Sequence, residues 1–247
     1  MSTAISVVMA TYNGSNFLPA QIASVLAQLT PEDELVVVDD ASSDDTVDWL
    51  NSLSDSRLQI YENLSNLGVL ESFERGLSLA RKPIIFLCDQ DDVWLPGKRA
   101  TFVAAFERDP HILVVVSDAE LINANGVVTA PSFMATRGGF SGSVLSTLIR
   151  NRYLGCSMAL RRELLDLALP IPRWIPMHDM WLGAIGRIFG KTYYIPIPLM
   201  QYRRHGGNVS PASSQSFSRM LRWRLALLAA IAIRYCNKIF NNIFRKC

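Results

Sequence analysis

The stretch Ile84–Lys98 reads IIFLCDQDDVWLPGK, an apolar run that ends in Asp89, Asp91 and Asp92. Three carboxylates within four residues at the end of a buried strand repel one another and lose hydration, which is costly unless a cation sits among them. An all-oxygen ligand set suits a hard divalent ion, Mg²⁺ or Mn²⁺, and such ions commonly bridge protein carboxylates to substrate phosphates. The alternative is an acidic turn facing water. Against it, Phe86–Cys88 before the cluster and Val93-Trp94-Leu95-Pro96 after it hold the carboxylates close to the core. Other polar groupings stand at Thr11-Tyr12-Asn13, Asp39-Asp40, His178-Asp179 and Arg203-Arg204-His205.

The elements that must position these groups alternate in type. Ile5–Met9 reads as a short apolar strand. Phe17–Leu29 repeats Phe17, Leu18, Ile22, Val25, Leu26 and Leu29 at helical spacing, and Pro31-Glu32-Asp33 breaks it. Leu35–Val38 is a second buried strand, after which Ser43 or Asp44 can cap a helix reaching Leu50. Leu58–Tyr61 is a third strand, Val69–Ala80 a helix and Ile84–Leu87 the fourth strand. This alternation predicts an α/β fold, a doubly wound sheet with parallel strands at its centre. Ligands of such sheets collect beyond the carboxyl ends of the strands. The ends of strands one, two and four carry Thr11-Tyr12-Asn13, Asp39-Asp40 and Asp89–Asp92, so all three should converge on one crevice.

The second half is less regular. Leu113–Val116 reads as a strand, Ser117–Gly126 as a turn-rich stretch and Thr129–Gly142 as a loop. Arg161–Leu169 and Met180–Phe189 read as helices, and Tyr193–Ile197 and Leu199–Tyr202 as short strands. The sequence contains neither an internal repeat nor a low-complexity linker.

At 247 residues, 49% hydrophobic and 19% charged, the chain can bury a full α/β core and is too apolar for disorder. The net charge of +2 hides a split, because all 22 Asp and Glu lie at or before Asp179 while eleven of the 24 Lys and Arg follow it. An acidic body with a basic tail suits an anionic partner surface. Cys88, Cys156, Cys236 and Cys247 lack CxxC spacing, which supports neither a zinc site nor a disulfide framework. The opening MSTAISVVMA lacks the basic and long apolar regions of a signal peptide. No apolar run approaches the roughly 20 residues that span a bilayer, and the expectation is a cytoplasmic chain.

Taken together, ISVVMATYNG, ELVVVDDASSDDT, FLCDQDDVWLPGK, HDMW at 178–181 and YRRHGGN at 202–208 resemble the family-2 glycosyltransferases of the GT-A fold. The likeness covers roughly residues 4 to 210. The DQDDVW and HD-x-W pieces look most like bacterial rhamnosyltransferases and related surface-polysaccharide enzymes. The resemblance implies that Asp40 accepts a hydrogen bond from the imide N–H of a uracil or thymine ring, bordered by Thr11 and Tyr12, with a helix-capping carboxylate as the plainer reading of Asp40. Asp39 reads as the structural member of its pair. By the same resemblance Asp89 sits near the ribose and Asp91 binds the metal. Asp92 is a second candidate ligand, because the register across a D-x-D-D run is open. Asp179 matches the base that deprotonates the acceptor, in an inverting displacement, and His178 is read as a positioning residue. His205 can complete a metal shell, and Arg203 or Arg204 could pair with the diphosphate. Trp94 and Trp181 are candidate sugar-stacking walls, although aromatics in such positions are more often core. Gly155-Cys156-Ser157-Met158 resembles the segment lining the donor-sugar and acceptor pocket, with Cys156 a small buried hydrophobe.

The expected division is a catalytic domain over residues 1–210 and a basic amphipathic tail over 211–247. The tail sets Arg219, Arg222, Arg224, Arg234, Lys238 and Arg245 among Leu221, Leu225, Leu228, Ile231, Tyr235, Ile239 and Ile243. Its apolar stretch Leu225–Ile233 is too short to cross a membrane, and the pattern suits peripheral contact with the inner face of the cytoplasmic membrane. A helix packed on the catalytic body, or an oligomer contact, is the alternative. The function expected is sugar transfer from a nucleotide donor, dTDP-rhamnose first and UDP-glucose or UDP-galactose second, to a lipid-linked glycan. Two other classes compete: a non-catalytic sugar-nucleotide-binding assembly protein and a nucleotidyltransferase. The latter would prefer more glycine than the single one in Ala10–Ser15. A nucleic-acid partner gains support only from the basic tail, whose apolar face argues for lipid instead.

Overall fold

The computed structural model describes residues 3–149, 151–208 and 217–244, with side chains of the last segment described for 220–236 and 238. Strands β1 (Ile5–Thr11), β2 (Glu34–Asp39), β3 (Leu58–Glu62) and β4 (Ile84–Asp89) lie parallel in the order β3-β2-β1-β4. Helices α1 (Leu18–Leu26), α2 (Thr46–Asn51) and α3 (Val69–Leu79) make the crossovers. Successive side chains of each strand point to opposite faces, as a pleat requires. Val8, Val36, Ile85 and Leu87 face Phe73 and Leu77 of α3 on one side. Val7, Met9, Val37, Phe86 and Cys88 face Leu18, Ile22 and Val25 of α1 on the other. Both faces are covered, so the strands read as continuous apolar runs.

Beyond β4 come the short β5 (Val93–Trp94) and α4 (Lys98–Arg108), whose Phe102, Val103 and Phe106 join the second of these core layers. Sequence periodicity singled out no element over 98–108, because α4 also buries Lys98 and Arg99 and lacks a clean apolar stripe. The 12-residue β6 (Ile112–Asn123) runs straight through the stretch expected to be turn-rich and pairs with the edge strand β7 (Val128–Ala130). Short helices α5 (Phe133–Thr136) and α6 (Val144–Ile149) follow. The helix expected over Arg161–Leu169 is shorter: Met158–Arg161 forms β8, and α7 covers Leu165–Ala168. β8 inserts antiparallel between β4 and β6. Helix α8 (His178–Phe189) begins two residues earlier than expected. The two short strands expected after it are one 14-residue strand, β9 (Lys191–Arg204), parallel to β6 and antiparallel to β5.

The last helix, α9 (Phe217–Phe244), is not a detached tail. Leu227 and Ala230 are buried in the same core layer as Trp181 and Ile185 of α8. The expected boundary at 210/211, Arg245 and the side chains of Arg219, Ile239 and Ile243 lie outside the described residues. Among the described residues no helix is long and apolar enough to cross a membrane.

Candidate active site

Register sets the site. Thr11 pairs with Asp39 and Ala10 with Asp89, so β1, β2 and β4 stop at one level and deliver their polar ends to the same place, as the sequence predicts. Helix α3 can approach closely enough to wall this place because Gly76 meets β1 without a side chain; a Cβ there would stand 2.5 Å from Val8 Cγ1. A cavity of about 520 Å³ results, lined among others by Thr11, Tyr12, Asp40, Phe73, Asp89, Asp91, Gly155, His178, Asp179 and Asn208.

Asp39 is structural. Its oxygens take the hydroxyls of Thr11 (2.9 Å) and Ser42 (2.6 Å) and the Ser42 N–H (2.8 Å). Asp40 lines the cavity instead. It caps no helix side-on, and accepts from Asn63 Nδ2 (2.7 Å), Leu67 N (2.8 Å) and Gly68 N (2.8 Å). Burial opposes the charged form, yet the Leu67 N–H, the Asn63 amide and the Gly68 N–H hold this carboxyl below the usual range. Oδ2 takes a single one of these donors, so it keeps capacity for another. Gln90, which sequence reasoning passed over, ties the ends of β1 and β4 together: Oε1 accepts the Tyr12 N–H (2.8 Å) and Nε2 donates to the Tyr12 carbonyl (3.0 Å).

The three aspartates after β4 part company. Asp91 Oδ2 lies 2.7 Å from His205 Nε2 and accepts from Asn208 Nδ2 at 3.0 Å. Asp92 turns inward. It is fully buried, does not line the cavity, accepts the Arg203 N–H at 2.9 Å through Oδ1, and has no hydrogen-bond partner at Oδ2 among the described residues. Burial, then the Asp91 and Asp89 charges, push the Asp92 carboxyl well up. Of the two candidate ligands, Asp91 therefore faces the cleft and Asp92 does not. Burial and the charges of Asp91 and Asp179 raise the Asp89 carboxyl to about 7.

Asp89, Asp92 and Cys156 also bring oxygen and sulfur atoms within 4.8 Å of one another. A cation is already built into this group's surroundings: the fully buried Lys98 donates to the Cys156 carbonyl at 2.7 Å and sits 4.7 Å from the Trp94 ring centre. Burial also raises the Cys156 thiol.

Asp179 stands in the first turn of α8, and Asn151 Nδ2 donates to its Oδ1 at 3.1 Å. The N-cap position is Met177, with no side-chain cap bond, but Asp179 Oδ1 also accepts the Met180 N–H of the first turn at 2.5 Å, so the carboxylate both ties down the helix start and lines the cavity. Burial raises the Asp179 carboxyl to about 6. His178 is buried, stacks on Phe73 with ring centres 4.1 Å apart, and leaves both ring nitrogens without a partner among the described residues. Burial pushes its pKa down to about 4, so the ring is neutral near pH 7.

The two tryptophans take the commoner core placement, and the diphosphate reading of the two arginines is corrected. Trp181 is fully buried and donates to the Ala168 carbonyl at 2.8 Å, and Trp94 packs on Phe86; both are core rather than sugar walls. Arg203 spends its guanidinium on the carbonyls of Asp91 (2.7 Å) and Ala124 (3.0 Å) and over the Phe17 ring. Arg204 donates to the Tyr202 hydroxyl at 3.0 Å. Neither guanidinium lines the cavity. They fasten β9 and its following loop, and so hold His205 and Asn208 in place.

A parallel sheet interrupted by an antiparallel β8, with acids gathered at its carboxyl ends, defines an α/β protein of the GT-A type. Comparison agrees. The Glycosyl transferase family 2 model matches residues 6–166, and the chain belongs to that family: it is a glycosyltransferase. It is 32% identical to the Escherichia coli UDP-Glc:alpha-D-GlcNAc-diphosphoundecaprenol beta-1,3-glucosyltransferase WfaP, covering 98% of this chain and 95% of that one. WfgD of Escherichia coli, which carries the same activity name, is 30% identical over 66% of this chain and 62% of its own length. The fold matches the crystal structure of S. aureus TarS 1-349 in complex with UDP-GlcNAc, with TM-score 0.69 and 19% identity over 91% of this chain and 66% of that one. The chain thus spans nearly all of WfaP and about two thirds or less of WfgD and that TarS chain.

Proposed function

We propose that the protein transfers a sugar from a pyrimidine nucleotide donor to a hydroxyl of a lipid-linked glycan in surface-polysaccharide synthesis, with inversion at the anomeric carbon. One observation carries the reading: a single cavity is lined both by Asp91, whose carboxylate pairs with His205, and by the buried, raised-pKa Asp179. The catalytic unit is residues 1–210.

Asp40, through the free capacity of Oδ2, takes the imide N–H of the base, with Thr11 and Tyr12 beside it and Asp89 toward the ribose. Asp91 and His205 fit a divalent cation. The Asp91 carboxylate and the His205 ring nitrogen, 2.7 Å apart, would together hold such an ion. The mixed carboxylate and imidazole set suits Mn²⁺ as well as Mg²⁺. When bound, such an ion neutralises charge gathering on the departing diphosphate. Asn208 orients Asp91, and the Arg203 and Arg204 contacts fix the loop that carries His205.

Asp179 accepts the proton of the attacking hydroxyl. The new bond from that oxygen to the anomeric carbon forms as the bond to the diphosphate oxygen breaks, and the nucleoside diphosphate leaves. One displacement with one base inverts the centre. A carboxyl held near 6 is a stronger base than an ordinary one and is still ionised near pH 7. Neutral His178, adjacent to Asp179, has two free ring nitrogens with which to fix a sugar hydroxyl.

The names of WfaP and WfgD support UDP-glucose as the first donor to test and a diphosphoundecaprenol-linked sugar as the acceptor. The first expectation from sequence, dTDP-rhamnose, becomes the second, because thymine and uracil present the same imide edge. The presence of Asp91 and Asp179 disfavours a non-catalytic assembly role. The deciding assay offers UDP- and dTDP-sugars with Mn²⁺ or Mg²⁺ and a glycolipid acceptor, and measures nucleoside diphosphate release. Transfer that survives both Asp91→Asn and Asp179→Asn would refute the proposal.

A further inference from the structure

Helix α9 has two unlike faces. Its inner face is fastened to the body: Leu227 and Ala230 are buried, Arg234 donates to the carbonyls of Leu169 (2.8 Å) and Pro170 (2.7 Å), and Lys238 Nζ stands 4.2 Å from the Phe189 ring centre. On its outer face Leu221, Leu225, Leu228 and Tyr235 are each 44–58% exposed. With exposed Ala232, these residues fall within an arc of roughly 80° at 100° per residue. Arg222, exposed, borders the arc on one side and Arg224 on the other. Trp174, 57% exposed, faces Arg222, Trp223 and Ala226 across an open groove of about 600 Å³. Three residues further along the chain from Trp174, Met177 and then His178 and Asp179 line the cleft.

An apolar stripe of this length, with arginine to either side, needs a cover. Charge selects among the candidates. A second copy laid on the same face would bring more cations, and no acid follows Asp179 to neutralise them. An anionic leaflet offers both an apolar layer for Leu225 and Leu228 and counter-charge for Arg222. We infer that the outer face of α9 docks on an anionic bilayer surface and holds the cleft beside the membrane. The inference stands on this surface alone and agrees with the proposed lipid-linked acceptor without depending on it.

The test sediments the whole protein with vesicles of phosphatidylcholine, alone or mixed with phosphatidylglycerol, in the absence of donor and acceptor. Wild type should bind the mixed vesicles at least tenfold better than the neutral ones. Arg222→Gln should weaken that binding about fivefold, which is the worth of one basic residue near such a surface. Leu225→Glu with Leu228→Glu should abolish it, while the melting temperature and nucleoside diphosphate release stay unchanged. Both leucines are exposed, so the fold does not depend on them. Wild type that ignores mixed vesicles, or a double variant that binds them equally, would overturn the inference. So would a wild-type dimer that the double variant dissociates with no change in vesicle binding. Because vesicle binding is read without sugar chemistry, a protein that binds vesicles but releases no nucleoside diphosphate would refute the proposed function and leave this inference standing.

Discussion

His205 Nε2 and Asp91 Oδ2 meet at 2.7 Å although 114 positions separate them in the chain. The meeting is made by β9, which returns beside β6 and pairs with β5 directly after the aspartates, so Gln201 stands opposite Val93. If these two atoms share a cation, His205→Ala should weaken donor binding in Mn²⁺ by ten- to a hundredfold, the range typical of damaged metal sites. Binding measured in a chelator should be unchanged. Titration calorimetry of UDP-glucose under both conditions reads the difference, and an equal loss in both would assign His205 to the loop alone.

Asp179 gives a pH signature. Its folded pKa is raised to about 6 by burial, and the working form is the carboxylate, so kcat/KM should climb to a plateau above pH 6 and fall tenfold per pH unit below it. An unshifted carboxylate would hold activity to near pH 4. His178, near 4, adds no second step around 6.5. The same shift costs stability: the folded state binds the proton more tightly than the unfolded chain, so stability is lost as pH rises from about 4 through 6 and stays lost above. Asp179→Asn should therefore cut transfer by 10²–10⁴-fold or more while raising unfolding free energy at pH 8 by about 1–3 kcal/mol. A variant both inactive and less stable would mean that the carboxylate is structural.

Gly155 is a place where one methyl group should matter. A Cβ there would lie 2.9 Å from His178 Nε2 and 3.6 Å from Asp179 Cβ. His178 has no hydrogen bond to hold it among the described residues, so Gly155→Ala should displace the ring rather than unfold the protein. We expect a stability loss of about 1–3 kcal/mol and a fall in kcat of at least tenfold with donor affinity little changed. Wild-type kcat in this variant would show that His178 has no part in positioning.

What could be read in advance followed from local pattern. Continuous apolar runs at Ile5–Met9, Leu35–Val38 and Ile84–Leu87 fix three parallel strands, and the polar residues next in sequence must then share one end of the sheet. Partners chosen by distant chain were not legible. Nothing near Arg203 in sequence shows that the carbonyls of Asp91 and Ala124 will occupy its guanidinium, and nothing near Trp181 shows that Ala168 will accept its N–H. β6 ran on past Val116 because β9 and β7 pair with its polar half, a long-range gain that overrides local turn preference. Lys98 drew no notice because a lysine ordinarily signals surface.

Lys98 therefore supplies the last prediction. Its ammonium is fully buried, donates to the Cys156 carbonyl, and lies close enough to Asp92 and Asp89 for their charges to raise its pKa, although burial lowers it overall. Asp89, raised to about 7, is mostly protonated at pH 5 and mostly ionised at pH 8. At pH 5 the buried cation thus has little opposing charge, and exchanging it for an apolar chain of similar length removes a desolvation cost. At pH 8 the same exchange leaves the ionised Asp89, which lines the cavity, without that nearby counter-ion. Lys98→Met should accordingly be near neutral or stabilising at pH 5 and destabilising at pH 8 by about 3 kcal/mol, within the range for breaking a buried pair. Denaturant unfolding of both proteins in chelator at the two pH values measures this. If the change in stability is the same at both, Lys98 is held by packing on Trp94 and Phe102, and its charge does not compensate the aspartates.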